Sequence, residues 1–249
     1  MTRLKSEKQI DGIRESCRLL ADILRDLRSL AVAGVTPVDL DDAARKKIHD
    51  VGGRPAFLGY QGYPAALCTS VNDAVIHGIP DKRKLKNGDI ISLDLGLELN
   101  GFYSDSAVTV AVGAIDDRIK KLMKTAEESL LLGIAEAKAG NRINDISRAI
   151  FRHNKKEGYG VVRPYCGHGV GLDIHEDPQI PNYVGSGPNP RLKPGMVLAI
   201  EPMINLGGDD VLLLDDDWTV VTADGSVSVH FEHTVAIFPD HTEILTLAS

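Results

Sequence analysis

The sequence predicts an α+β fold of two similar halves, about residues 1–113 and 114–249, packed as one domain around a pseudo-twofold axis. Three observations lead there. The order helix, helix, strands occurs twice. Short segments of the first half recur in the second in the same order. One pair of strand-like runs is joined by a favoured hairpin turn. A chain of 249 residues has room for one such domain.

The helices come first in each half. From Glu7 to Leu30, apolar residues at Ile10, Ile13, Cys17, Leu20, Leu24, Leu27 and Leu30 form a helical stripe. Thr36 as N-cap with Pro37 at the first position predicts a second helix, running to about Val51 before Gly52-Gly53. In the second half Asp116 to Lys138 gives a long stripe through Ile119, Leu122, Ala126, Leu130 and Ile134, ending at Gly140. Asn144 is read as the cap of a shorter helix that ends at Gly158.

The halves also match in residues. Ala33-Gly34 precedes Asp39-Leu40, as Ala139-Gly140 precedes Asp145-Ile146. "IHGIP" (76–80) pairs with "IHEDP" (174–178), and "GDIISLDL" (88–95) with "GMVLAIEP" (195–202), which aligns Asp94 with Glu201. "YSDSAV" (103–108) pairs with "HFEHTV" (230–235), which aligns Asp105 with Glu232. Convergent strand composition could produce any one match, but four in the same order are hard to obtain that way. The period is far too long for a solenoid.

Within "GDIISLDLGLELNGFYSDSAVTVAVG", Asn100-Gly101 is a two-residue hairpin turn. Leu99 then faces Phe102, Asp94 faces Ala107, and Asp105 faces Gly96. Asp94 and Asp105 share one face as diagonal neighbours, about 7–8 Å apart at Cα. The other face, with Leu93, Leu95, Leu97, Leu99, Phe102, Val108 and Val110, must be core. One reading of the aspartates is simply the wet face of a half-buried sheet. Two details favour a site: Gly96 and Ala107 leave space above the sheet, and the aligned positions Glu201 and Glu232 are acidic within apolar runs. Four converging carboxylates would repel one another in a partly dry site unless a cation lay among them. Their number suggests two ions with bridging carboxylates. Hard oxygen donors with imidazole suit Mn²⁺, Fe²⁺, Co²⁺ or Zn²⁺, and a dinuclear site can activate water for hydrolysis.

Eight histidines compete for the imidazole role. His49, His153 and His241 lie on helices or near the terminus and are read as structural. His230 and His233 flank Glu232, and both are read as turned away from its face. His77 and His175 occupy equivalent places in the two halves, on either side of the ions. His168, in the glycine-rich "CGHGVG", has no counterpart, the same offset landing on Ser70, and is the better candidate for the single imidazole ligand.

Composition narrows the classes. Apolar content of 43% and charged content of 25% are those of a soluble globular protein. A net charge of -7 with scattered Lys and Arg argues against nucleic acid as the main partner. The charged, amphipathic N-terminus is not a signal peptide, and no stretch reaches transmembrane length. Cys17, Cys68 and Cys166 are too dispersed for a disulfide framework or a cysteine zinc site, so a reducing, cytoplasmic setting is expected.

Along essentially its whole length the sequence resembles the type I methionine aminopeptidases of bacterial kind. The matching segments are "GYQGYPAALCTSVNDAVIHGIP", "DIISLDLGLELNGFYSDSAVT", "YCGHGVGLDIHEDP", "GMVLAIEPM" and "WTVVTADGSVSVHFEHT". The resemblance implies the pseudo-symmetric pita-bread fold, a curved antiparallel sheet backed by helices. It implies a metal set in which Asp105 and Glu232 bridge two ions, Asp94 serves one, and His168 and Glu201 serve the other. Aminopeptidases are among the known two-metal hydrolases. The implied reaction is removal of the N-terminal methionine from new polypeptides with a small second residue, by metal-activated water. Glu201 would shuttle the proton, His175 stabilise the oxyanion, and His77 orient the substrate backbone. Tyr60, Tyr63, Cys68 and Trp218 would line the methionine pocket. The expected partners are nascent peptides with a free N-terminal Met and, transiently, the ribosome. A monomer is expected, without specific nucleic acid or membrane.

Two positions depart from the family pattern: Ile174 stands where an aromatic residue is frequent, and Asp217 where the turn before Trp218 usually has Gly. Only 32 residues separate His168 from Glu201, too few for the helical insertion of type II enzymes. The rival readings are an X-Pro aminopeptidase or prolidase of the same fold, and a metal-free peptide-binding homologue.

Overall fold

Four helices carry the outside of the molecule, in a computed structural model that describes residues 2–248. α1 (Glu7–Leu30) is capped by Ser6 and Gln9 in a reciprocal box and buries the stripe from Ile10 to Leu27. α2 (Pro37–Asp50) starts the same way: Asp39 N–H donates to Thr36 Oγ1 (3.2 Å), and Thr36 N–H to Asp39 Oδ2 (2.8 Å). α3 (Asp117–Glu136) takes Asp116 as its cap. α4 (Ile143–Lys156) begins earlier than expected, and its cap is Arg142 rather than Asn144. Asp145 accepts the Arg142 N–H at 2.8 Å, while the Asn144 N–H is taken by Asn189 at 2.9 Å. A partner distant in sequence thus satisfies a first-turn donor.

The strands that matter for the site fall into two antiparallel sheets. In the first, β1 (Leu67–Val71) and β3 (Phe102–Ala111) flank β2 (Ile90–Leu99), with the short Arg54–Pro55 strand on the β1 side. The hairpin register is the expected one: Leu99 opposes Phe102, Asp94 opposes Ala107, and Gly96 opposes Asp105. In the second sheet the order is β5 (Glu176–Pro181), β4 (Cys166–Gly169), β6 (Val197–Ile200), β8 (His233–Ile237), then Thr242–Ile244. β7 (Ser228–His230) precedes β8 but pairs elsewhere, with Met203–Asn205.

Two apolar clusters back these sheets. One joins α1 and α2 to β1, β2 and β3; the other joins α3 and α4 to β6 and β8. A third, with Ile10, Ile13 and Cys17 against Val197, Ala199 and Ala236, ties the start of α1 to the second sheet. The wet-face reading of the aspartates is overturned, because β2 is buried along its whole length on both sides.

What brings the two sheets together is a seam of hydroxyls along β3. Ser106 Oγ donates to Glu232 O (2.8 Å), Thr234 Oγ1 to Asp105 O (2.7 Å), and Thr109 Oγ1 to His230 O (2.9 Å). The Glu232 N–H donates to Ala107 O at 2.9 Å. Side-chain hydroxyls here replace a backbone ladder, satisfying buried main-chain groups while setting Asp105 beside Glu232. No helix among the described residues is long and apolar enough to cross a membrane.

Candidate metal centre and substrate cavity

All eleven residues singled out from the sequence line one cavity of about 530 Å³. Its floor is acidic. Asp94 sits mid-strand on β2, opposite Cys68 of β1 on one side and Ala107 of β3 on the other. Asp105 is on β3, and His168 is on β4, paired with Ala199 of β6. Glu201 lies one residue past β6, and Glu232 in the break between β7 and β8. The β6–β8 ladder ends at Ile200 opposite His233, so Glu201 and Glu232 are the next opposed positions, whereas Asp94 and Asp105 are diagonal.

The donor atoms are close enough to share cations. Asp94, Asp105 and Glu232 offer donor atoms mutually within 4.8 Å; so do His168, Glu201 and Glu232, and Asp105, His168 and His175, the histidines through ring nitrogens. His168 supplies the most telling geometry. Its Nδ1 lies 2.9 Å from the carbonyl of Gly169, which can only accept, so Nδ1 carries the proton. Nε2 then presents a bare lone pair to Asp105 Oδ2 at 3.6 Å and Glu201 Oε1 at 3.5 Å. Burial holds the ring neutral, with its pKa lowered to about 3. A lone pair facing two carboxylate oxygens is repulsive unless a cation stands between them. Adjacent donors on an ion with bonds of about 2.1 Å lie roughly 3.0–3.4 Å apart, close to these separations.

The carboxylates agree. Asp94 Oδ1, Asp105 Oδ1 and Glu232 Oε1 are buried with no hydrogen-bond partner, which buried polar atoms rarely tolerate. Burial, with the neighbouring Glu201 charge, raises Asp94 to about 7; burial raises Glu201 to about 8. Burial and mutual repulsion push Asp105 and Glu232 well above the usual carboxylate range. The residues therefore fit divalent metal.

Above this floor the cavity turns apolar. Tyr63 stacks edge-on against Trp218 (5.1 Å between ring centres), and Tyr60 lies against His175 (5.1 Å). Burial keeps the Cys68 thiol far from ionising, so it serves as apolar wall. His175 reaches in beside His168, ring centres 4.3 Å apart. His77 packs between Tyr165 and Trp218 with a left-handed backbone (φ 57°), a conformation that strains a non-glycine residue.

Three features differ from the sequence reading. The space over Gly96 is not free for a ligand: an added Cβ there would meet Phe57 at 2.7 Å and Ala56 at 2.9 Å. Phe57, absent from the expected pocket, lines the cavity and packs with the buried Ile174, Tyr63 and Cys68. The aromatic bulk missing at 174 is thus supplied from the loop after α2, and the only sequence signal was an apolar residue three positions before Tyr60. His230 was also set aside, yet it stands two positions before Glu232, a spacing that alternation puts on the same face, and its Nε2 lies 3.5 Å from Glu201 Oε2. His233, one position after Glu232, turns instead to Thr246 Oγ1 at 2.9 Å. Asp217 takes a left-handed φ of 63° in its turn, which Asp tolerates better than most residues and which accounts for Gly being usual there.

A family model described as metallopeptidase family M24 matches residues 11–238. The chain belongs to metallopeptidase family M24. A protein of Treponema pallidum named methionine aminopeptidase is 50% identical over 247 residues, covering 99% of this chain and 96% of that one. The crystal structure of methionine aminopeptidase from Rickettsia prowazekii superposes with a TM-score of 0.97 at 38% identity, covering 99% of this chain and all of that one. The prolidase of Pyrococcus horikoshii shares the fold alone, with TM-score 0.80 at 22% identity, and this chain spans 64% of it. The M24 chain accordingly has the pita-bread architecture and the divalent-metal chemistry of a metallopeptidase.

Proposed function

We propose that this M24 peptidase removes the N-terminal methionine from nascent polypeptides whose second residue is small. The names of its relatives support the activity. The observation that carries it is the cavity itself, a buried cluster of four carboxylates and one neutral histidine at the foot of an apolar pocket. Asp94, Asp105, His168, Glu201 and Glu232 would hold two divalent ions, drawn from Mn²⁺, Fe²⁺, Co²⁺ or Zn²⁺, whose four charges balance the four carboxylates. Bound there, such ions supply Lewis acidity and a water acidic enough to act near neutral pH.

The protein's own groups do the rest. Tyr60, Tyr63, Cys68 and Trp218, with Phe57, exclude water around the methionine side chain. His77 orients the substrate backbone, its neutral imidazole held by burial, which lowers its pKa to about 4. His175 faces the developing oxyanion from the open side of the cavity. Glu201 moves a proton from the attacking water to the leaving amine. The two halves would act as one catalytic domain, monomeric and cytoplasmic, meeting its substrates transiently at the ribosome.

Metal-stripped protein given Mn²⁺, Fe²⁺ or Co²⁺ should release Met from Met-Ala-Ser and leave Ala-Pro peptides intact. No Met release with any metal sinks the reading, and preferred cleavage before proline favours the prolidase-like alternative.

A further inference from the structure

The Glu201 carboxylate is flanked by two imidazoles, one on each oxygen. His168 Nε2 lies 3.5 Å from Oε1, and His230 Nε2 lies 3.5 Å from Oε2. The two rings are not equivalent. His168 spends its only N–H on Gly169 O and faces Glu201 with a lone pair. His230 is 1% exposed, and neither of its ring nitrogens has a hydrogen-bond partner. One of those nitrogens carries a proton in any neutral tautomer. A buried N–H without a partner is rare and signals an interaction still to be completed.

The backbone leaves His230 little choice of direction. Its N–H donates to Thr109 Oγ1 at 2.9 Å, and the same hydroxyl donates to its carbonyl at 2.9 Å. It also pairs with Met203, two residues beyond Glu201. Both partners hold the His230 backbone in place, and its ring meets the Glu201 oxygen that His168 does not face.

We propose that His230 is a positioning residue, donating its Nε2–H to Glu201 Oε2 and so turning Oε1 toward the cation shared with His168. The proposal rests on the metal-centre reading above. Outer donors of this kind orient ligating carboxylates, and their loss commonly weakens metal affinity 10–100-fold. His230 makes no contact with substrate in this scheme; it acts only through Glu201.

The test is calorimetric titration of Mn²⁺ into metal-stripped wild type, H230L and H230Q, with unfolding followed by circular dichroism. H230L should bind at least ~10-fold more weakly at one site. H230Q, whose amide keeps an N–H donor, should stay within about threefold of wild type, and the Co²⁺ visible spectrum should move in H230L but not in H230Q. Equal affinity in H230L and wild type, or equal losses in H230L and H230Q, would overturn the proposal. Wild type that binds no Mn²⁺ or Co²⁺ would overturn the metal reading beneath it, a distinct outcome. If H230L does not fold, ¹⁵N-histidine spectra of wild type decide. A slowly exchanging Nε2–H at His230 in the Mn²⁺-free, Zn²⁺-loaded protein is expected, and an unprotonated Nε2 overturns the proposal.

Discussion

Replacing Lys5 by Met should destabilise the protein and slow it, because this residue near the chain start sits in the support of the cavity. Lys5 Nζ lies 2.8 Å from Glu176 Oε2, with the two side chains only 1% and 2% exposed. Burial lowers the Lys5 pKa, and the Glu176 charge and hydrogen bond restore part of it. Glu176 Oε1 meanwhile accepts the N–H groups of Leu172 (2.8 Å) and Asp173 (3.2 Å), closing the loop that carries Ile174 and His175. Removing one partner of a buried pair costs about 3–5 kcal/mol, since the other charge is left uncompensated. Here the remaining carboxylate keeps two N–H partners, which favours the lower end, about 3 kcal/mol. With an unfolding entropy of about 0.5 kcal/mol/K for 249 residues, Tm should fall by roughly 6 °C. The loosened loop should lower kcat by about tenfold, with metal content unchanged by mass spectrometry. A Tm within 2 °C of wild type would refute the reasoning.

Other outcomes follow from the same geometry. On the proposed two-ion site, His168→Ala should lose one ion, whereas His175→Ala should keep the wild-type metal content and lose kcat by at least ~10²-fold; equal metal loss in the two variants would contradict the division of roles. Metal binding should release protons, because Asp94 (about 7) and Glu201 (about 8) are partly protonated in the metal-free protein at neutral pH. Titration in buffers of different ionisation enthalpy should count at least ~2 protons near pH 6.5, with the raised Asp105 and Glu232 adding to them. The sign for stability follows: these raised groups keep protons that the unfolded chain sheds near pH 4, so metal-free folding weakens as pH rises from about 4 to about 8. The Tm gap between loaded and stripped protein should therefore widen from pH 5 to 8, and a constant gap would be contrary evidence. Because His77 has φ 57°, His77→Gly should melt above His77→Ala by the equivalent of about 1 kcal/mol, though both lose activity; the reverse order would remove the strain argument.

Much of the acidic floor was legible because the information lay in local pattern. Asn100-Gly101 fixes a hairpin, the hairpin fixes the register, and the register puts Asp94 and Asp105 on one face. The internal repeat then carried the inference to Glu201 and Glu232 without any knowledge of their surroundings. The fold's helices were similarly local, and the one misplaced cap, at Asn144, failed where Asn189 intervened from 45 residues away. Two of the missed features, Phe57 and Lys5, are of that distant kind. Phe57 reaches the cavity only because Gly96, 39 positions on, has no side chain to exclude it. Lys5 finds Glu176 across 171 residues.

His230 was legible in the local pattern, because it stands two positions before Glu232 and so on the same strand face. Alternation assigns faces along a ladder, since the hydrogen bonds to neighbouring strands enforce the pleat. Here the ladder with Met203–Asn205 ends at His230, and the ladder with β6 begins at His233. Between them the chain passes from one sheet to the other, held by Ser106, Thr109 and Thr234 hydroxyls rather than by strand pairing. Parity survives this crossing: His230 and Glu232, two positions apart, both approach Glu201, while His233, one position on, turns to Thr246. A strand that carries a buried acid should be read with its neighbours two positions away, which share the acid's face. Those neighbours are candidates for the same site, which is the position His230 occupies.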